Sequence, residues 1–218
     1  MEKMRESKGS KIKRKIREEI KKAYKYKRLI IGVITIMVLV AIYLFKDSSS
    51  VTLRYSTFLG VMILFYLIDH LFYVRFEFKH YIFVILIAVS TILMSHLYFV
   101  HPNYDKIQHF AIPIFVCSIV FFMVNRLKLV LKWKITFTLV SVIAMLSAFE
   151  ILEYVLDLFF NWKLQGVYIR DLSGLEKFNL LLNPLTDTMV DLSFGILGSA
   201  IYALYAWIKY SKYKTPIV

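Results

Sequence analysis

Apolar residues along this chain gather in runs of roughly twenty, the length that carries a helix across about 30 Å of hydrocarbon. Six such runs stand out, at about 29–45, 52–73, 81–99, 107–125, 135–158 and 187–208. Polar turns separate them. KDSSS follows the first run, HPNYDKIQ follows the third with Pro102 and Asn103 as its turn signal, and NRLKLVLKWK follows the fourth. Pro113 inside the fourth run is expected to bend it. The segment 159–186 contains Gly166, Gly174 and Pro184 and has an amphipathic middle, so it is expected to lie at the membrane interface or dip partly into it. The pattern predicts an all-α fold: a polytopic membrane helical bundle of about six transmembrane helices spanning 29–208, flanked by basic tails at 1–28 and 209–218, with no second domain.

Charge supplies an orientation. Residues 1–28 hold 13 Lys or Arg against 4 Glu, which leaves little of the net +13 for the rest of the chain. Ile12, Ile16 and Ile20 give this tail a thin apolar stripe, as of a basic helix able to lie on a membrane surface. A basic tail beside a first span reads as a topology signal that can also touch anionic lipid, rather than as a nucleic-acid site. With the N-terminus in the cytoplasm, the inner segments hold 22 Lys or Arg and the outer ones 6. Both termini are therefore expected in the cytoplasm, and the chain in the cell (plasma) membrane as an integral multi-pass protein whose main partner is the lipid bilayer.

Composition otherwise restricts the chemistry. At 59% hydrophobic residues the chain is more apolar than a soluble domain. The one cysteine, Cys117, lies in an apolar run and reads as a small core residue; no zinc-binding spacing accompanies it. The first apolar run is long and no small-residue cleavage site follows it, so it reads as a retained span. There is no phosphate-binding Gly loop, Gly-x-Ser-x-Gly elbow or His-Glu-x-x-His, and no Pro-Ser-Gly-His of the lipid phosphatases.

Ionisable groups inside spans are costly, so they are functional candidates by default. Asp105 and His109 are four apart at the start of the fourth span and share a helix face. Glu150 and Glu153 share a face of the fifth; Asp187 and Asp191 do so on the sixth. With the expected topology all six groups lie near the outer ends of their spans, Glu153 about 7 Å and Glu150 about 12 Å inside at 1.5 Å per residue. Five carboxylates in a low dielectric do not all stay ionised unaided; some are protonated or cations neutralise them. Lys106 supplies one positive charge, and a divalent metal held by Asp105, His109, Glu150, Glu153, Asp187 and Asp191 would supply more, in a donor set that suits Mg, Mn, Fe or Zn. Asp105 and Asp187 also stand where helix N-caps belong. His96 and His101 are close enough in sequence to join, whereas Asp69 is expected to snorkel or pair with Arg75 or Lys79. Gly195, Gly198 and Ser199 would permit close helix contact.

The motifs Tyr104-Asp105-Lys106-x-x-His109-Phe110, Phe149-Glu150-x-x-Glu153 and Asp187-Thr188-x-x-Asp191 with Gly198 resemble the YjdF-like family of inner-membrane proteins, over about residues 100–200. More distantly they resemble VanZ-like membrane proteins, which share an Asp-Lys-x-x-His opening, a later Glu and an Asp before a Gly-rich span. The resemblance implies a multi-pass membrane protein. From the YjdF-like side it carries over no activity; from the VanZ-like side it implies a link to the cell envelope and to glycopeptide resistance.

Three classes of function stay open on these residues. One is a site opening to the extracytoplasmic face and acting on an envelope or lipid-linked substrate; if catalytic, it is metal-assisted, with Glu150 or Glu153 as base. Another is a transporter or a proton or cation pathway, for which the inner half offers only Asp69 and His70. The last is a structural or accessory protein whose polar cluster holds helices together.

Overall fold

The computed structural model describes residues 49–160, 163–170 and 178–211, together with positions 18, 29, 32–34, 36, 37, 40 and 44. Apart from those isolated positions, the basic tail 1–28 and the first expected span lie outside the described residues, as do Trp162, Lys177 and the tail from 212 onward. The chain divides into two units, Met1–Ile82 and Phe83–Val218.

In the first unit, helix α1 (Ser49–Leu71) turns back into α2 (Phe78–Ala88). The turn contains Tyr73 and Arg75 at φ 50° and 53°, a left-handed backbone that costs a non-glycine residue about 1–2 kcal/mol. Asp69 stabilises it. Its carbonyl accepts from Val74 N at 3.2 Å, and its carboxylate accepts from Phe76 N at 2.8 Å and from the Tyr81 hydroxyl. Asp69 is thus a buried organiser of backbone rather than a snorkelling surface acid, and Lys79 pairs with Glu77 at 2.8 Å. Phe65 packs on the same turn, its ring centroid 4.7 Å from that of Phe76 and 5.0 Å from that of Tyr81.

The second unit continues α2 through a π-helical turn, Val89–Leu93, and a 3-10 turn, Ser95–Phe99. The sequence predicts one helix over 81–99; the chain instead leaves helical geometry at Met94. The hydroxyls of Ser90 and Thr91 both donate to the Ile87 carbonyl, at 3.0 and 2.9 Å, and so compete with the backbone ladder just where it widens.

Three helices follow that are long and apolar enough to cross a membrane: α3 (Tyr104–Val124), α4 (Leu131–Phe160) and α5 (Pro184–Ser211). At 1.5 Å per residue each is about 30 Å or longer. Large apolar side chains such as Phe137, Val140, Ile151 and Leu204 stand exposed on them, as suits a hydrocarbon surrounding. Helices α3 and α5 run parallel and α4 antiparallel to both. Cys117, Phe121, Val142, Tyr202 and Ala206 form the buried cluster between them. The approach of α3 and α5 depends on Gly198, where an added Cβ would stand 2.2 Å from the Phe110 carbonyl oxygen. At Gly195 an added Cβ would stand 2.6 Å from Leu146 Cδ1, the end of a side chain that can turn aside. Pro113 brings no N–H to the α3 ladder, so the His109 carbonyl loses its donor four residues on.

The segment expected at the interface holds an antiparallel hairpin, β1 (Val167–Arg170) with β2 (Phe178–Leu182). An all-α reading omits it. Its strands are rich in β-branched, aromatic and leucine side chains, which read equally as a short amphipathic helix. Two features set its start. The Asp157 carboxylate accepts from Leu164 N and Gln165 N, both at 2.8 Å, which stops α4 from continuing. Gly166 then adopts φ 91°, with the Leu182 carbonyl oxygen 3.0 Å from where a Cβ would stand.

Candidate functional site

The parallel start of α3 and α5 brings Asp105, Lys106 and His109 beside Asp187 and Asp191, and the antiparallel α4 brings Glu150 to the same end. Neither Asp105 nor Asp187 is an N-cap. Asn103 precedes α3, and before α5 the Asn183 side chain accepts from Thr186 N at 2.9 Å. Both aspartates lie in first turns, where their charge still complements the helix dipole. Their carboxylates are engaged elsewhere.

Lys106 occupies the centre of the acidic group. Its ammonium stands 2.7 and 2.9 Å from the two oxygens of Asp191, 3.2 Å from Asp105 Oδ2, and also donates to Asp187 Oδ1. Asp187 and Asp191 are buried, so these are charge-assisted bonds shielded from water. The other oxygen of Asp187 accepts from Gly166 N at 2.8 Å and ties the start of the hairpin to the cluster.

On the far side of Asp105 stands His109. Its Nε2 is 3.4 Å from Asp105 Oδ1, and its Nδ1 is 3.7 Å from Glu150 Oε1. Ligating atoms of Asp105, His109 and Asp191 all lie within 4.8 Å of one another, close enough to hold one metal ion. Glu150 is buried and its Oε1 has no hydrogen-bond partner among the described residues. His96 and His101 are not part of this group.

A cavity of about 540 Å³ opens beside the cluster, between the π and 3-10 turns, α3, α4 and the start of the hairpin. Most of its wall is apolar. At one end it meets Asp105, Gln108, His109, Glu153 and Lys163. Glu153 therefore faces the cavity, whereas Glu150, one turn back on α4, does not line it. A second cavity, about 630 Å³, lies on the opposite side, lined by Lys106, Phe110, Val190 and Phe194 together with the strand residues Leu181 and Leu182. Pro102 and Val167 border both.

Sequence reasoning singled out the ionisable members but missed their neutral companions. Gln108 accepts from the Tyr98 hydroxyl. Gln165 donates to the Glu150 carbonyl at 3.4 Å and to Thr188 Oγ1 at 3.2 Å. Tyr104 donates to the Ser90 carbonyl at 2.8 Å. Gln165 comes from a segment with no helical period, so nothing in the pattern ties it to α4 or α5.

No curated protein and no solved structure matches the chain. A family model does, over residues 26–212, a range that takes in α1 to α5, the cluster and both cavities. Its description agrees with the apolar helices and places the protein in a lipid bilayer: the chain belongs to the family described as Predicted membrane protein (DUF2238).

Proposed function

We propose that this protein is a YjdF-like, six-span protein of the cell membrane with both termini in the cytoplasm, built as one bundle over 29–208 between basic tails. Its carboxylate and histidine cluster opens to the extracytoplasmic face and holds a divalent cation that acts on an envelope or lipid-linked substrate. The observation that carries this reading is the convergence of ligating atoms from Asp105, His109 and Asp191 within 4.8 Å, beside a largely apolar cavity. A mixed carboxylate and imidazole set suits Mg, Mn, Fe or Zn.

The residues divide into roles. Asp105, His109 and Asp191 ligate. Glu150, facing the other nitrogen of His109, orients the ring, as carboxylates behind metal-bound histidines do. Lys106 and Asp187 set the charge balance and the separation of α3 from α5. Glu153 faces the cavity and is placed to take a proton from a cation-bound water during hydrolysis or transfer.

Elemental analysis of the full chain purified in detergent tests the reading. Near-stoichiometric divalent metal is expected, falling to background in His109→Ala and Asp191→Asn while both variants remain folded. A folded wild-type protein without metal, even after incubation with each of the four ions, would overturn it.

One observation favours a second reading. Lys106 already neutralises part of the cluster, bonding three carboxylates from two helices. In that reading the network joins α3 to α5 and binds nothing. It requires wild-type protein with no metal and a large loss of stability in Lys106→Met.

A further inference from the structure

The 540 Å³ cavity carries one acidic group that the cluster does not use. Glu153 is half-buried on its wall and takes no hydrogen bond or ion pair from any described residue. Asp105, the other carboxylate there, already has Lys106 at 3.2 Å and His109 at 3.4 Å. Lys163 also reaches the wall, but its ammonium lies 5.7 Å from the Tyr168 ring centre and has a further partner. A carboxylate within a membrane-crossing helix is costly without a counter-charge, and such groups serve as counter-ions to ligands. The rest of the wall describes the body of that ligand. Ile112, Val116, Met145 and Leu146 line it with no ionisable group among them, and Tyr98, Phe99 and Phe149 add aromatic rings, whose faces attract organic cations. The volume falls within the usual range for sites that enclose most of a small ligand.

We infer that this cavity binds a lipophilic organic cation, an ammonium carrying one apolar chain, with the ammonium against Glu153 and the chain along Ile112, Val116, Met145 and Leu146. Charge selects the occupant. A neutral chain would leave Glu153 unpaired, and an anion would meet two carboxylates. Helices α3 and α4, which supply much of the wall, are long and apolar enough to cross a membrane, so the chain keeps an apolar surrounding as it enters. Glu153 lies outside the proposed ligand set, so this site goes beyond the metal reading and stands whether or not a metal is bound. While the ammonium is held, the same carboxylate is not free to take a proton from water.

The experiment uses the full chain in dodecyl maltoside and radiolabelled decyltrimethylammonium as probe. Binding is read by equilibrium dialysis against protein-free micelles, and metal content is measured on the same samples. Saturable binding is expected in the wild type. Glu153→Gln should weaken it by at least about tenfold, the effect of removing one partner of a charge pair shielded from water. Glu153→Asp, which keeps the charge, should recover part of that loss, and metal content should stay unchanged in both. Ile112→Trp fills the cavity and should abolish binding. Decanol and decyl sulfate carry the same chain without the positive charge and should displace the probe far less well than the unlabelled cation does. Equal binding to the wild type and Glu153→Gln overturns the inference, as does binding retained in a folded Ile112→Trp. Displacement by decanol or decyl sulfate as effective as that by the cation overturns it too, and this measurement on the wild type decides even where a variant does not fold. Metal retained without binding of the probe sinks this inference alone, whereas binding without metal sinks the metal reading alone.

Discussion

Lys106 and Asp191, 85 residues apart in sequence, meet with the ammonium 2.7 and 2.9 Å from both carboxylate oxygens, and Asp191 is at the same time a candidate ligand beside His109. One carboxylate thus bonds an ammonium and belongs to the proposed cation site. The arrangement joins helix packing and candidate chemistry in a single side chain.

Removing the ammonium should leave Asp187 and Asp191 buried without a counter-charge. Lys106→Met is expected to lower stability by about 3–5 kcal/mol, the range for breaking a buried pair from one side. Thermal unfolding in detergent measures it. Lys106→Met combined with Asp191→Asn should recover part of the loss; a double variant as unstable as the sum of the singles would mean the two residues act independently.

Gly198→Ala should fail where Gly60→Ala succeeds. A Cβ at Gly198 meets the Phe110 carbonyl at 2.2 Å, and backbone cannot rotate away as a side chain can. At Gly60 nothing lies within 4 Å, and alanine gains roughly 1 kcal/mol of helix propensity. Folded yield by size-exclusion chromatography is expected to collapse for the first and hold or rise for the second.

The two glutamates of α4 should separate in a metal assay. Glu150→Gln is expected to weaken retention by about 10–100-fold, the usual effect of losing a carboxylate behind a metal-bound histidine. Glu153→Gln should keep the metal, since its side chain faces the cavity. Titration with a competing chelator, monitored by elemental analysis, distinguishes them; loss of metal in Glu153→Gln would move that residue into the ligand set.

Asp69→Ala leaves the Phe76 N–H and the Tyr81 hydroxyl without their acceptor. Roughly 1–3 kcal/mol should be lost, and Asp69→Asn, which keeps one acceptor oxygen, should lose less. Hydrogen exchange at Phe76 should accelerate in both. Unchanged exchange would show that the left-handed turn is held by other contacts.

Orientation is open to labelling. In a Cys117→Ser background, a cysteine replacing Asn179 should react with an impermeant maleimide on intact cells, and one replacing Lys128 only after permeabilisation. The reverse pattern would invert the proposed topology.

How much of this was legible in sequence depends on the element. The last three apolar runs were readable because their length suits a membrane-crossing helix, and the helices α3, α4 and α5 match them with ends displaced by a few residues. The approach of α3 and α5 was signalled by Gly198. The third run was misleading, since Ser90 and Thr91 disturb the ladder through hydroxyl bonds that composition does not express. The hairpin was hidden because four or five apolar residues fit either period. Of the cluster, Asp105, His109 and Asp191, which the fold brings together, were candidates through spacing within a helix. Their partition was not: that Lys106 takes Asp187 and that Glu150 and Glu153 face different surroundings follows from three-dimensional register alone.

Asp187 holds the Lys106 ammonium with one oxygen and the Gly166 amide with the other. Gly166 is the residue at which the chain enters β1, and Val167 beyond it borders both cavities. The carboxylate is therefore a latch with two bolts. One side chain thus fixes both the spacing of α3 from α5 and the entry of the strand that rims both chambers, so neither can shift without breaking a bond to the same carboxylate.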